Sequence, residues 1–340
     1  MSGAWGLGLG AWGSVLQGLN RVKNAPALVI GVWLSTLLMA MPLAIVLQQM
    51  IGAHLGGSLA AQSAAEGVNY DWWNEFLAQT SGLGATFVPA IIGFAAVMKN
   101  IASVADKPPI PTVISLVVIS YMTLSLFLAG GILDRLARDR ALGAGAFFSA
   151  CGVYFVRFIR LGIVMAVVYG VLFGPYHSWL FDAVYPALIA DLTVERTAFF
   201  IRSALYAAFA LPLFAANMLF DYAKIRAVVE DRRSMLGALA ASWRFIARNA
   251  MAVSGVYAIN ALVFLVVAGL YYLIAPGASA DALAFAAGQL YILARLVLKL
   301  HFLASETALF QSRLAHAAYT AAPAALWPES AAAEAIQPRR

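Results

Sequence analysis

Charged residues are scarce in this chain. They make up 11% of its 340 residues, where an ordinary soluble domain carries about 25%. With 63% hydrophobic residues, a water-soluble fold of this length has too little polar surface to cover its interior, so the bilayer is the expected solvent. Cysteine is rarer still: the single Cys151 excludes an intramolecular disulfide and any cysteine-rich metal site. Catalytic spacings are missing too. His54, His177, His301 and His316 lie far apart, and none pairs with a glutamate at metal-ligand helix spacing. There is no lysine-bearing phosphate loop and no nucleophile-elbow serine, and the glycines of "GLGLGAWG" follow no strand. No catalytic residue, metal site or cofactor is expected, and the chain reads as non-enzymatic. His177, in "GPYHSW", reads as a surface residue of an outer connection. The net charge of +6 does not point to nucleic acid, because the basic residues gather at the ends of hydrophobic runs, as in membrane proteins.

What is abundant is hydrophobic runs of spanning length. Six candidate spans of roughly 20 residues fall near 26–50, 110–133, 158–181, 197–220, 250–275 and 283–305. The reading is an all-α, polytopic transmembrane helical bundle, a single integral membrane domain over 1–319 followed by a mobile tail at 320–340. The N-terminal residues have no basic stretch before their apolar part and are not built like a secretory signal; the first span reads as an uncleaved anchor. The shorter "TFVPAIIGFAAVMKN" (86–100) suits an interfacial or re-entrant segment. One set of connections, 1–25, 134–157, 221–249 and 306–340, holds most of the arginine and lysine, which predicts cytoplasmic termini. The opposite side carries "GVNYDWWNEF", whose aromatics fit either a headgroup-level belt or a lid.

Two stretches repeat. Leu124, Leu126, Phe127, Ala129 and Asp134 of "LSLFLAGGILD" match Leu211, Leu213, Phe214, Ala216 and Asp221 of "LPLFAANMLFD" at constant spacing. Each is followed by a basic connector and an aromatic, arginine-bearing stretch, "FFSACGVYFVRFIR" or "ALAASWRFIARN", leading into the next span. The chain thus predicts two parallel span–amphipathic helix–span repeats, an arrangement that transporters often place around a site. Arg157 with Arg160, and Arg244 with Arg248, share helix faces and suit contacts to anionic lipid headgroups, at about 1 kcal/mol per basic residue, or plain anchoring. Gly130 and Gly131 suit close helix packing.

The sixth span contains "ARLVLKLHF". Arg295 lies about 18 Å along a roughly 30 Å hydrocarbon core, where a charge costs about 2.5–3.5 kcal/mol or somewhat less. Tyr291, Arg295 and Lys299 are spaced by fours and line one face. The spans hold almost no carboxylates, since Asp134, Asp221 and Glu306 read as boundary residues. Asn260 of the fifth span offers Arg295 a carbonyl oxygen without neutralising it. Three readings compete for Arg295: it snorkels to backbone carbonyls, it pairs with Asp134 or Asp221, or it binds an anionic headgroup or substrate. The last makes Arg295, Lys299, Tyr291 and Asn260 the candidate ligand site. The stretch 306–319 reads as an amphipathic rod projecting from the sixth span, a surface for a protein partner.

On "GVNYDWWNEF", "GGILDRLARDR", "FDYAKIRAVVEDRRS" and "ETALFQSRLAHAAY" the chain resembles an uncharacterised family of bacterial inner-membrane proteins. More distantly, its span–connector–aromatic helix unit is similar to the membrane domains of some glycerophosphodiester phosphodiesterases, whose soluble catalytic domain has no counterpart in these residues. The resemblance implies a six-span protein of the bacterial inner membrane and brings no activity with it. The functional expectation is binding or transport of an anionic or amphipathic molecule, lipid included; the alternative is a scaffold or accessory subunit of a larger membrane complex.

Overall fold

In the computed structural model, residues 3–66, 69–87, 106, 112–274 and 281–314 are described. All regular structure among them is helical. The order is α1 (Gly3–Lys23), α2 (Pro26–Leu55), the short α3 (Ala61–Glu66) and α4 (Tyr70–Gln79), then α5 (Thr112–Arg138), α6 (Ala144–Ile189), α7 (Glu195–Val229), α8 (Met235–Arg248), α9 (Ala250–Ile274) and α10 (Asp281–Arg313). α2, α5, α6, α7, α9 and α10 are long and apolar enough to cross a membrane. The chain is an all-α, multi-pass membrane protein. The tail at 320–340 and most of the 86–100 segment lie outside the described residues.

Local chemistry sets the element ends. Pro26 opens α2 at its first turn, where its missing N–H costs nothing. Asn69 caps α4 by accepting from the Trp72 backbone N–H at 3.0 Å, and Ser234 caps α8 by accepting from Gly237 at 3.2 Å. The two connectors of the repeat stop their helices alike. Asp139 after α5 and Asp231 after α7 take left-handed backbone angles, φ 44° and 48°, a conformation aspartate tolerates better than most residues. Behind Asp231 the Arg232 N–H reaches back to the Ala227 carbonyl at 3.1 Å, the closing bond of a Schellman turn.

Burial is concentrated at one end, where both basic connectors lie. Leu133 and Leu136 of α5, Phe158 and Leu161 of α6, Phe220, Tyr222 and Ile225 of α7, Val253 and Val256 of α9, and Leu309 and Phe310 of α10 are all at most 1% exposed. Toward the other end the helices present Leu38, Ile119, Val167, Phe199, Leu265 and Phe285 outward. None of the most apolar window of α2 is buried. In lipid such surface needs no protein cover.

The repeat is packed unequally. α5 and α6 lie directly on each other because Gly130 and Gly131 bring the backbones together: a Cβ at Gly131 would meet Cys151 Sγ at 2.6 Å and the Phe147 ring at 2.7 Å. In this copy the aromatic stretch forms the first turns of α6 and is continuous with the span. In the second copy it is a separate helix, α8, ended at Asn249, and α9 finds its main partners in α1 and α10.

Three expectations need correction. His177 is 8% exposed and packs on Phe181 and Phe209, with ring centroids 4.6 and 5.2 Å apart. The "GPYHSW" stretch is no connection. The helix kinks at Gly174, whose φ/ψ of −86°/−107° departs from helical values, and resumes beyond it, which carries His177 onto α7. Second, Glu306 is no boundary residue: α10 runs on to Arg313 and stays buried as far as Gln311, and Glu306 is 0% exposed. For the same reason the 306–319 rod is not a free docking surface over its first turns, since Glu306 to Gln311 are buried in the bundle; 315–319 lie outside the described residues. Third, Trp72 and Phe76 do not all face headgroups. Trp72 donates its indole N–H to His54 Nδ1 at 2.9 Å, and with Phe76 and Phe87 forms a small aromatic core at the end of α2.

α1 is the least expected element. It wedges between α9 and α10, burying Ala11, Val15 and Val22. Gly18 makes this possible: a Cβ there would lie 2.7 Å from the Ser305 backbone N. Polar bonds fix its C-terminal end. Arg21 donates to the Leu136 carbonyl at 3.1 Å and to Gln311 Oε1 at 2.7 Å, and Gln311 donates on to the Ala137 carbonyl at 2.9 Å. Burial lowers the Arg21 pKa, while Asp139 works against that shift.

Candidate functional site

A groove opens among three spans. Val32, Ser35 and Thr36 of α2, Tyr121, Leu124, Ser125 and Leu128 of α5, and Leu296, Lys299 and Leu303 of α10 line it. Its walls are mostly aliphatic, with hydroxyls on two sides and one ammonium group. Ser35 and Thr36 give their protons to their own helix at 2.8 Å, four residues back, which leaves their oxygens as acceptors.

Lys299 and Arg295 are both exposed to the exterior of the protein. Most other basic side chains of the connectors find carboxylates: Arg138 meets Asp134, Arg135 Asp139, Arg157 Asp231, Lys224 Asp221, and Arg226 Glu230. Among the described residues neither Arg295 nor Lys299 forms an ion pair. Arg295 instead lies 5.8 Å over the Tyr291 ring, which stacks on Tyr271 of α9 at 4.3 Å and 11°. The helical spacing thus brings Tyr291 and Arg295 together, as the sequence implied. The tyrosine acts through its π-face, a contact worth about 0.5–1 kcal/mol where exposed.

Asn260 does not join them. It is 3% exposed and donates to the Val256 carbonyl of its own helix at 2.9 Å, while its side-chain oxygen has no hydrogen-bond partner among the described residues. Asp134 and Asp221 are also taken by other cations, so neither is the partner of Arg295.

The four connector arginines divide. Arg157 reaches Asp231 at 2.6 Å and lies 5.2 Å over Tyr154, tying α6 to the turn between α7 and α8. Its guanidinium is committed within the protein. Arg160, Arg244 and Arg248 are exposed. Arg160 projects from α6, whereas α8 carries Arg244 and Arg248 beside an outward apolar stripe containing Leu236 and Trp243, 69% and 60% exposed, while Met235, Ala238 and Ala241 seat its other face on the bundle. A helix with this exposed pairing suits the interfacial layer.

Sequence reasoning missed a polar cluster in the core. On α7, Asp221 is paired to Lys224 Nζ at 2.6 Å and accepts from the Tyr257 hydroxyl of α9 at 3.1 Å. Beside them sits Glu306 of α10, whose two oxygens have no hydrogen-bond partner among the described residues. Tyr222, 0% exposed, adds another hydroxyl that has no hydrogen-bond partner among the described residues and lies near both carboxylates. The signal that could have found it is the apolar "ALF" after Glu306, which keeps α10 inside the protein past the expected boundary.

Comparisons with protein-family models, curated proteins and solved structures give no match to this chain.

Proposed function

We propose that this chain is a non-enzymatic membrane protein that binds, and moves or presents, an anionic amphiphile of the phospholipid type. One observation carries the reading: Lys299 sits without a carboxylate in an otherwise apolar groove between spans. The groove offers both halves of an amphiphile's chemistry, an ammonium group and hydroxyls for a phosphate or carboxylate, and aliphatic walls for chains. Arg295, one turn away, extends the positive charge, and Arg160, Arg244 and Arg248 attract headgroups at the basic end. The excess of arginine and lysine in the connectors supports a cytoplasmic position for that end and for both termini, and the resemblance to bacterial inner-membrane proteins supports that membrane.

Native mass spectrometry of the gently purified protein tests this. Wild type should retain an anionic lipid that Lys299→Ala and Arg295→Ala lose; identical adducts in all three would remove the groove as the site. A scaffold role is the second reading, favoured by the uncovered apolar face of α2. A protein partner co-purifying at fixed stoichiometry, together with unchanged lipid adducts, would put it first.

A further inference from the structure

Glu306 differs from its acidic neighbours in having no ion pair of its own among the described residues. Asp134, Asp221, Asp231 and Glu230 each hold a cation. Glu306 has no exposed surface and no hydrogen-bond donor among the described residues. From α7 it faces Asp221, Lys224 and Tyr222, and from α9 Tyr257. The charged groups of the other helices packed on α10 turn elsewhere. Arg21 of α1 goes to Leu136 and Gln311, Asp134 of α5 to Arg138, and Arg135 to the Asn24 carbonyl. His301, five residues back on α10, meets the Val15 carbonyl at 3.0 Å. Phe302 against Tyr257 and Phe310 against Tyr222 close the sides with aromatic rings.

The direction of the hydrogen bonds decides what can sit there. A phenol has one proton, and Tyr257 gives its proton to Asp221 Oδ2. While it does so, it can offer Glu306 only lone pairs. An ionised Glu306 would face those lone pairs with no exposed surface and would have to draw a donor from Tyr222 or Lys224, whereas a protonated one brings its own donor to turn on them.

We propose that Glu306 is a buried proton-binding site, wired to the basic end of the bundle through Tyr257 and Asp221. The transfer is a concerted hop made once a turn of the Glu306 carboxyl brings it onto Tyr257, since neither Glu306 oxygen has a hydrogen-bond partner among the described residues. The Glu306 carboxyl proton passes to Tyr257 Oη as the Tyr257 proton passes to Asp221 Oδ2, leaving Glu306 a carboxylate, Tyr257 neutral, and Asp221 an acid that yields its proton to water. The wire has a dry end and a wet end: Glu306 is 0% exposed, while the side chains of Asp221 and Lys224 are 22% and 16% exposed. Tyr222 supplies the hydroxyl that can turn onto the carboxylate once the proton has left. Glu306 also lies on the α10 stripe of Arg295 and Lys299, about 10 Å of helix rise beyond Lys299. Losing its proton adds negative charge to the stripe that carries the two unpaired cations, so proton release disfavours an anion there. The proton site itself does not depend on the groove holding lipid.

Infrared spectroscopy of the full-length protein in bilayers, titrated through neutral pH and exchanged into D2O, tests the site and the wire. Wild type should show a carboxylic-acid C=O band at neutral pH. Glu306→Gln should lose it, and Tyr257→Phe should shift it by removing the acceptor. The band should move in D2O, and more slowly in Tyr257→Phe. Absence of the band in wild type, or its survival in Glu306→Gln, overturns the site. Equal exchange rates in wild type and Tyr257→Phe overturn the wire. Should Glu306→Gln fail to fold, the phenylalanine variant decides alone, an unshifted band there overturning the site.

Discussion

Gly13 and Gly18 share α1 but have different surroundings, and alanine at each should separate them. Around a Cβ at Gly13 nothing lies within 4 Å; at Gly18 the Ser305 backbone N lies at 2.7 Å and its Cα at 2.9 Å. Both substitutions gain about 0.8–1.0 kcal/mol of helix propensity. Only Gly18→Ala must then force α1 off α10, an overpacking cost of about 1–3 kcal/mol, because backbone cannot swing aside as a flexible side chain can. Gly13→Ala should therefore be neutral or slightly stabilised, with Gly18→Ala below it by about 1–3 kcal/mol. Cys151, the one cysteine and fully buried, supplies the assay: its labelling by a thiol-reactive dye during thermal unfolding of the detergent-purified protein marks loss of the core. Equal midpoints for the two variants would refute the packing of α1 on Ser305 and with it the place of α1 in the bundle.

Other outcomes follow from the same contacts. In the folded protein Cys151 should resist maleimide until unfolding, and Gly131→Ala, whose Cβ would strike its sulfur, should speed labelling and lower the midpoint by about 1–3 kcal/mol of stability. Arg157→Ala should cost under about 1 kcal/mol, since Asp231 is 67% exposed, and should leave vesicle binding intact; Arg244→Ala with Arg248→Ala should instead weaken binding to vesicles rich in anionic lipid, by about 1 kcal/mol per charge removed. Tyr271→Ala should remove a stack worth about 0.5–1.5 kcal/mol, seen in thermal unfolding, and free the Tyr291 ring beneath Arg295.

The spans were legible because hydrocarbon thickness fixes their length and excludes charge. The helix stops were partly legible as well: Asp134 and Asp221 mark the repeat, although the left-handed turns fall later, at Asp139 and Asp231. α1 was not legible as packed structure, because its interface uses Gly18, Ala11 and Ser14. Small residues fit closely without producing a hydrophobic stripe. Glu306 was hidden for the opposite reason. A charge at the end of an apolar run ordinarily marks water, and only helices distant in sequence, α7 and α9, make its surroundings dry. His177 was misplaced because Gly174 and Pro175 suggest a turn that ends the helix, whereas the chain only kinks at Gly174 and returns to helix beyond it. Within the candidate site, Tyr291 and Arg295 follow from local spacing, while Asn260 depended on helix rotation that no local pattern specifies.

The concentration of burial at one end has a mechanical consequence. Helices fastened together mainly near one end, as α2, α5 and α10 are, have room to splay or converge over the remainder of their length, and there the thickness of the surrounding acyl layer sets much of their tilt. The groove beside Lys299 lies between three such helices, so its width belongs partly to the lipid: thinner and thicker membranes would hold the same polypeptide at different apertures.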